Sequence, residues 1–354
     1  MSYLYSILLW YFIRPTSVIQ TITARSFSCR VTIKDVAKLA GVAPSTVTRV
    51  IQNKSTISDE TKKRVREAMV ELDYHPNLNA RSLVSQSSQV IALVLPIDSD
   101  VFYQNPFFPT VLRGITQIAS DNDYAIQICT GQNEERRLDN LKQLIYGNRV
   151  DGLIFLYSNP NDPLVEFAIK DKFPFLILGK AASPFVSLVD NDNIKAAFDA
   201  TDYFIQQNYR KIAFIGGNKE LFVSQDRYEG IKKPPKAGIP LDEKLVHFSF
   251  GFMLEDNSYQ MMESLPLAEL DAIMTTDILV AEGVRQYLLE HQLTIPIISF
   301  DSIKPRLDIE AYIDINAVEL GRESVRTILQ IIKDHKEGKT VCYRQLIDHT
   351  ITKL

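Results

Sequence analysis

From Gln89 onward the chain alternates short apolar runs with amphipathic stretches. The runs VIALVLP (90–96), YAIQICT (124–130), DGLIFLY (151–157), PFLILG (174–179), KIAFIGG (211–217), DAIMTT (271–276) and PIISFD (296–301) are apolar on both faces, not on every second residue. That is the pattern of strands buried on both sides of a parallel sheet. Helical segments separate the runs, so strand, helix and strand repeat as βαβ units of a doubly wound α/β architecture. Seven or more strands in about 260 residues predict two such sheets, with a ligand expected at the carboxyl ends of the strands.

Residues 32–72 carry a different rhythm, that of three short helices. Thr32 can cap the first, with Asp35 three positions on, and IKDVAKLA sets Ile33, Val36, Ala37 and Ala40 on one face. Gly41 suits a left-handed stop. Pro44 suits the first turn of the second helix, where its missing N–H is no loss. Ser58 caps the third, Asp59 and Glu60 follow at its positive end, and Val65, Ala68, Met69 and Leu72 form its apolar stripe until Tyr74–Pro76 ends it.

The chain of 354 residues is too long for one core, and 45% hydrophobic and 23% charged residues belong to an ordinary globular protein. Charge changes the picture more. Residues 30–90 hold ten Lys or Arg against six Asp or Glu, whereas the whole chain has a formal net charge of −4. A basic head on an acidic body fits a module that binds a polyanion, joined to one that does not. Cys29, Cys129 and Cys342 lie far apart without a CxxC pair, so neither a disulfide framework nor a zinc site is expected, and reduced thiols in the cytoplasm are. LYSILLWYFI (4–13) is about half the length that spans a bilayer, and it has no basic region before it and no cleavage site after it. Residues 1–30 are therefore expected to be a disordered or non-native extension.

Two helices about a turn at Gly41 make a helix-turn-helix, whose second helix would lie in the major groove. Val47 and Val50 turn inward, while Pro44, Ser45, Thr48 and Arg49 face out, with Arg49 the guanine reader by its two-pronged donor geometry. An ordinary surface helix of a small bundle reads the same from this segment alone. NLNARSLVS (77–85) follows as a short helical linker with Leu83 exposed, too short to be stable alone. An apolar residue on a conditional helix is what a minor-groove wedge requires, although Leu83 could also pack on its own domain.

VTIKDVAKLAGV (31–42), STVTRVIQN (45–53), LDYHPNLNARSL (72–83), NPFFPTVLRGI (105–115), VDGLIFL (150–156), RYEG (227–230) and SFD (299–301) together resemble the LacI/GalR family of transcriptional regulators. YQNPFFP, ILGK (177–180), VDNDN (189–193) and IDINAVELG (313–321) are similar in particular to its maltose operon repressors. The resemblance implies a homodimeric repressor of maltose or maltodextrin genes that binds operator DNA, responds to a sugar effector, and is assisted in some relatives by a phosphocarrier protein. It implies an all-α helix-turn-helix head (31–76), a hinge (77–88) and an α/β effector domain (89–354) with the periplasmic sugar-binding fold. The two subdomains would be about 89–190 plus 318–338 and about 191–317 plus 339–354. The DNA-facing set carried over is Thr32, Pro44, Ser45, Thr46, Thr48, Arg49, Asn53, Asn77, Ala80, Arg81 and Leu83. The effector set is Phe107, Phe108, Asp192, Arg227, Asp277 and Asp301, where carboxylates and a bidentate Arg would hold vicinal hydroxyls and the Phe rings the apolar face of a pyranose. Asp and Arg at strand ends can equally be mutual ion pairs.

Three positions depart from the family pattern. Ala43 stands where a capping Ser is usual, Thr276 where many relatives have Asn, and Pro234–Pro235 interrupts the helix after RYEG. GxSxG, P-loop and HExxH motifs are absent, so no enzyme and no cofactor or metal is expected. A sugar-binding receptor without DNA function remains the alternative, and residues 31–85 argue against it.

Overall fold

The computed structural model describes residues 31–75, 87–96, 99–157, 159, 161–233, 246–248, 254–300 and 309–353. The chain divides into two compact units at 81/82.

The first unit holds α1 (Ile33–Ala40), α2 (Pro44–Ile51) and α3 (Asp59–Glu71). The Thr32 N–H and hydroxyl donate to the Asp35 carboxylate at 2.8 and 2.7 Å, which starts α1 and holds that carboxyl below its usual range. Gly41 ends α1 at φ 64°, and the Val42 N–H returns to the Ala37 carbonyl at 3.0 Å, so a left-handed residue is required there. Val36, Ala37 and Ala40 of α1, Val47 and Val50 of α2, and Val65 and Ala68 of α3 form one small core. This is the arrangement that the three- and four-residue spacing predicts.

Among the described residues the second unit contains two six-stranded sheets. β1 (Val90–Val94), β2 (Ala125–Cys129), β3 (Gly152–Phe155), β4 (Phe175–Leu178) and β5 (Leu188–Asn191) belong to the first, with α4 (Ser99–Gln104), α5 (Phe107–Asp121), α6 (Glu134–Tyr146) and α7 (Pro163–Lys170) between them. The chain then crosses into the second sheet through α8 (Asn193–Gln206). There follow β6 (Ile212–Gly216), α9 (Phe222–Lys232), β7 (Val246–Phe248), α10 (Leu254–Met261), β8 (Ala272–Thr275), α11 (Ile278–Glu290), β9 (Ile297–Phe300) and β10 (Ala311–Asp314). It returns at Ile315–Asn316 into α12 (Ala317–Lys336), which packs on α5 and beside β3, β4 and β5. β11 (Arg344–Ile347) joins the first sheet beside β5, and β12 (Thr350–Lys353) joins the second. The orders are β11-β5-β4-β3-β1-β2 and β12-β10-β9-β8-β6-β7, parallel throughout except for β12, which runs antiparallel to β10.

The seven apolar runs correspond to β1–β4, β6, β8 and β9. β5 and β10 carry the polar ends LVDN and AYID, and β11 is an exposed edge strand, so none of these offers an uninterrupted apolar run. The family resemblance implies a third crossing near 338, whereas the pairing of β11 with β5 puts it at Asp348–His349.

Each sheet has apolar residues on both faces. In the first, Ile91, Leu93 and Ile154 face the layer of α5 and α12, while Ala92, Val94 and Leu153 face that of α6 and α7. α5 and α12 touch backbone to backbone. A Cβ on Gly114 would lie 2.0 Å from the Val318 carbonyl oxygen, and one on Gly321 would lie 2.2 Å from that of Val111.

Candidate recognition helix and ligand cavity

On α2, Pro44, Ser45 and Arg49 are exposed, Thr46 and Thr48 half-buried, and Val47 and Val50 buried. Pro44 occupies the first turn, and Ala43, in extended backbone at φ −72°, ψ 149°, makes no side-chain cap. The Thr48 hydroxyl donates to the Pro44 carbonyl at 3.2 Å, so its proton is committed within the helix. Asn53 lies just beyond α2 at φ 51° and accepts from Arg66 Nη2 at 3.3 Å. Thr32 is exposed, with its hydroxyl on Asp35. The face therefore offers three small polar side chains, Ser45, Thr46 and Thr48, a fixed proline and one long cation. Asn77, Ala80, Arg81 and Leu83 lie outside the described residues, as do Pro234 and Pro235.

The second unit holds a cavity of about 430 Å³ at the carboxyl ends of strands of both sheets. Leu156 and Tyr157 follow β3, Gly179 and Lys180 follow β4, and Asp190 and Asn191 end β5. Gly217 follows β6, Thr276 and Asp277 follow β8, and Phe300 ends β9. Phe107 and Phe108 enter from α5, with ring centroids 5.2 Å apart, and Phe222, Asp226 and Arg227 enter from α9. Strand ends converge here because in a doubly wound sheet the helices leave alternately to either face and open a crevice.

Arg227 is 6% exposed. Its Nε donates to Asn193 Oδ1 at 3.0 Å, its Nη1 donates to the Thr276 carbonyl, and its guanidinium carbon lies 3.9 Å from the centre of the Phe300 ring. Lys180 Nζ meets Asp226 Oδ1 at 2.6 Å. Asp277 Oδ1 caps α11 by accepting from the Leu279 and Val280 N–H groups at 3.0 and 3.1 Å, which leaves Oδ2 near Thr276 Oγ1 at 3.1 Å. Burial raises the Asp277 carboxyl above its usual range, against the pull of those N–H groups and Arg227. Asp190 Oδ1 accepts from the Asn191 N–H at 2.8 Å and from Asn193 Nδ2 at 3.2 Å. Its carboxyl is pushed up to about 7, first by burial and then by the neighbouring Asp226 charge. Tyr157 is held from behind by the buried Arg137, whose Nη2 donates to its hydroxyl at 2.7 Å and to the Leu95 carbonyl at 2.7 Å.

Of the six residues expected at an effector site, Phe107, Phe108, Arg227 and Asp277 line one cavity. Asp301 lies outside the described residues. Asp192 is a correction: it is exposed, and its Oδ1 accepts from the Lys195 N–H at 2.9 Å as the N-cap of α8. The carboxylate of the VDNDN stretch that lines the cavity is Asp190, two residues earlier. Spacing alone could not separate them, because both stand beside an Asn, and only the end of β5 decides which faces inward. The pairing of Lys180 with Asp226 and the ring of Phe300 against Arg227 were not legible either, since they join strands distant in sequence.

A helix-turn-helix head followed by an α/β body with an aromatic-walled cavity that holds a few charged side chains defines a class, the DNA-binding regulators with a ligand-binding domain. Comparison with known families matches residues 32–77 to the bacterial regulatory proteins of the lacI family, and residues 88–350 to the periplasmic binding proteins and sugar-binding domain of the LacI family. The chain is 61% identical over 324 residues to the HTH-type transcriptional regulator MalR of Streptococcus pneumoniae, covering 91% of this chain and 98% of that one. The chain therefore belongs to the lacI family of bacterial transcriptional regulators. Among solved structures it resembles one from Staphylococcus aureus described as a probable maltose operon transcriptional repressor (24% identity, TM-score 0.66, covering 76% and 97% of the two chains). It also resembles the lac repressor dimer bound to operator and an anti-inducer (20% identity, TM-score 0.73, 92% and 98%). At these identities the two structures establish the fold alone.

Proposed function

We propose that the chain is a homodimeric cytoplasmic repressor of maltose or maltodextrin utilisation genes, whose affinity for operator DNA is set by a sugar in the cavity. The observation that carries this reading is the composition of the cavity wall: carboxylate oxygens of Asp190 and Asp277, the buried Arg227 fork, and the rings of Phe107, Phe108 and Phe300. Carboxylates and an arginine fork suit vicinal hydroxyls, and ring faces suit the apolar side of a pyranose. The relationship to the pneumococcal MalR supports the choice of a maltose-type sugar. Operator contact falls to Pro44, Ser45, Thr46, Thr48 and Arg49 of the head, with Thr32 and Asn53 beside them, and to Asn77, Ala80, Arg81 and the wedge Leu83 of the hinge. No catalytic role is assigned: Asp277 caps a helix and Asp226 is paired with Lys180. A phosphocarrier protein as co-effector belongs to the same proposal.

Fluorescence anisotropy of the full chain on operator-like duplexes, with and without maltose, tests it. Salt-dependent, sequence-preferring binding that maltose alters is expected, and Arg49→Ala should cost about 1–3 kcal/mol and relax preference at the contacted base. Binding indifferent to sequence and to maltose would overturn the reading.

A further inference from the structure

Among the described residues the chain passes between the two sheets three times, at Asn191–Asp192, Ile315–Asn316 and Asp348–His349. One side chain on the first passage bonds the second at Ile315 and the end of β11 at Ile347, just before the third. Asn191, the last residue of β5, is 5% exposed, lines the cavity and stands in register with Ile347 of β11. Its Nδ2 donates to the carbonyl of Ile315 at 2.9 Å and to the carbonyl of Ile347 at 2.9 Å. Its backbone is fixed as well, since its N–H donates to Asp190 Oδ1 at 2.8 Å and its carbonyl accepts from Asn193 Nδ2 at 3.4 Å.

A primary amide has two donor hydrogens and one carbonyl oxygen. One hydrogen of Asn191 is committed to the second crossing at Ile315 and the other to Ile347, the strand end that leads into the third, while the residue itself sits on the first. Its Oδ1 has no partner among the described residues and is not sealed from solvent, in a residue that lines the cavity. The residue thus lines the cavity with an unused acceptor, while its donors hold Ile315 and Ile347. Donation to an amide oxygen polarises the amide and strengthens the bonds made by its N–H groups. Asn316 makes a second tie away from this cavity: its Nδ2 donates to the Asp348 carbonyl at 2.6 Å, from a left-handed backbone at φ 53°.

We propose that Asn191 couples the cavity to the crossing segments, a ligand hydroxyl donating to Oδ1 while Nδ2 holds the other two passages in the matching arrangement. The inference rests on the sugar reading above and goes beyond it by naming the residue through which an occupied cavity sets the relation of the two sheets. Asn191 then acts twice, as a ligand contact and as a positioning residue for the crossings, and the two roles separate in experiment.

The test uses the full chain, with calorimetry for maltose affinity and anisotropy for operator affinity without and with saturating maltose. The ratio of the two operator affinities is the coupling, about 5- to 150-fold in ordinary allosteric proteins. In Asn191→Ala, maltose affinity should fall by about two- to tenfold, the worth of one hydrogen bond, and the ratio at saturation should collapse to within about twofold of one. In Asn316→Gly, which keeps the left-handed backbone and loses the tie, maltose affinity should stay within about twofold of wild type while the ratio falls. Asn191→Ser keeps a single donor and should give an intermediate ratio, which also covers an alanine variant that fails to fold. A wild-type ratio at saturating maltose in either Asn191 variant would make the residue a ligand contact only, and a wild-type ratio in Asn316→Gly would mean that ties between crossings do not carry the coupling; each overturns the proposal while leaving the sugar reading intact. A wild-type protein that binds no maltose overturns the sugar reading itself, and this inference with it.

Discussion

The N-terminus of α2 offers a clean test of the local physics. Ala43 holds the N-cap position in extended backbone at φ −72°, ψ 149°, without a side-chain acceptor. Ser58, the N-cap of α3, has nearly the same backbone at φ −62°, ψ 148°, and there its hydroxyl accepts from the Thr61 N–H at 3.4 Å. Ala43→Ser therefore places a hydroxyl where it can reach the corresponding donor, Thr46 N–H, which now bonds only to the Ala43 carbonyl at 2.9 Å. Pro44 has no N–H, so the first turn has fewer orphan donors than usual, and the gain should sit near the middle of the range for such caps, about 1 kcal/mol. That free energy corresponds to about a fivefold change in an equilibrium constant at room temperature. Native-state hydrogen exchange on the full chain should show the amides of Thr48 to Ile51 protected about fivefold more strongly, with those of α3 unaffected. Exchange unchanged in α2, or an equal rise from Ala43→Gly, would refute the capping account.

Two further predictions follow from packing and charge. Gly321→Ala puts a Cβ 2.2 Å from the Val111 carbonyl and 3.0 Å from the Ile115 N–H, so α5 and α12 must separate. A loss of about 1–3 kcal/mol by urea denaturation is expected, and an unchanged midpoint would show that the helices can part freely. Asp190, with its carboxyl raised to about 7, keeps in the folded state a proton that the unfolded chain loses near pH 4. Folding stability should therefore fall as pH rises between about 4 and 7, by at most about 1.4 kcal/mol per pH unit from this group. Asp190→Asn should remove that slope, and urea midpoints that vary with pH equally in both proteins would count against the assignment.

How much was legible in the sequence follows from the range of the forces. The head was readable residue by residue, because its helices depend on local events: a capping carboxylate at Asp35, a left-handed Gly41, a proline at the first turn, and valines three apart that close one small core. The central strands were readable because burial on both faces demands unbroken apolar runs. β5, β10 and β11 were not, since they sit where the chain changes sheet or runs along an edge and their residues answer to neighbours far away in sequence. The same limit governs the cavity. That Arg227 and Asp277 belong together was implied by resemblance, but the choice of Asp190 over Asp192 was made by the end of β5, which turns one carboxylate inward and spends the other on the first turn of α8. The double role of Asn191 lies further still from the sequence: the two carbonyls it bridges belong to residues 124 and 156 positions away, and only the tertiary fold brings them within reach of one amide.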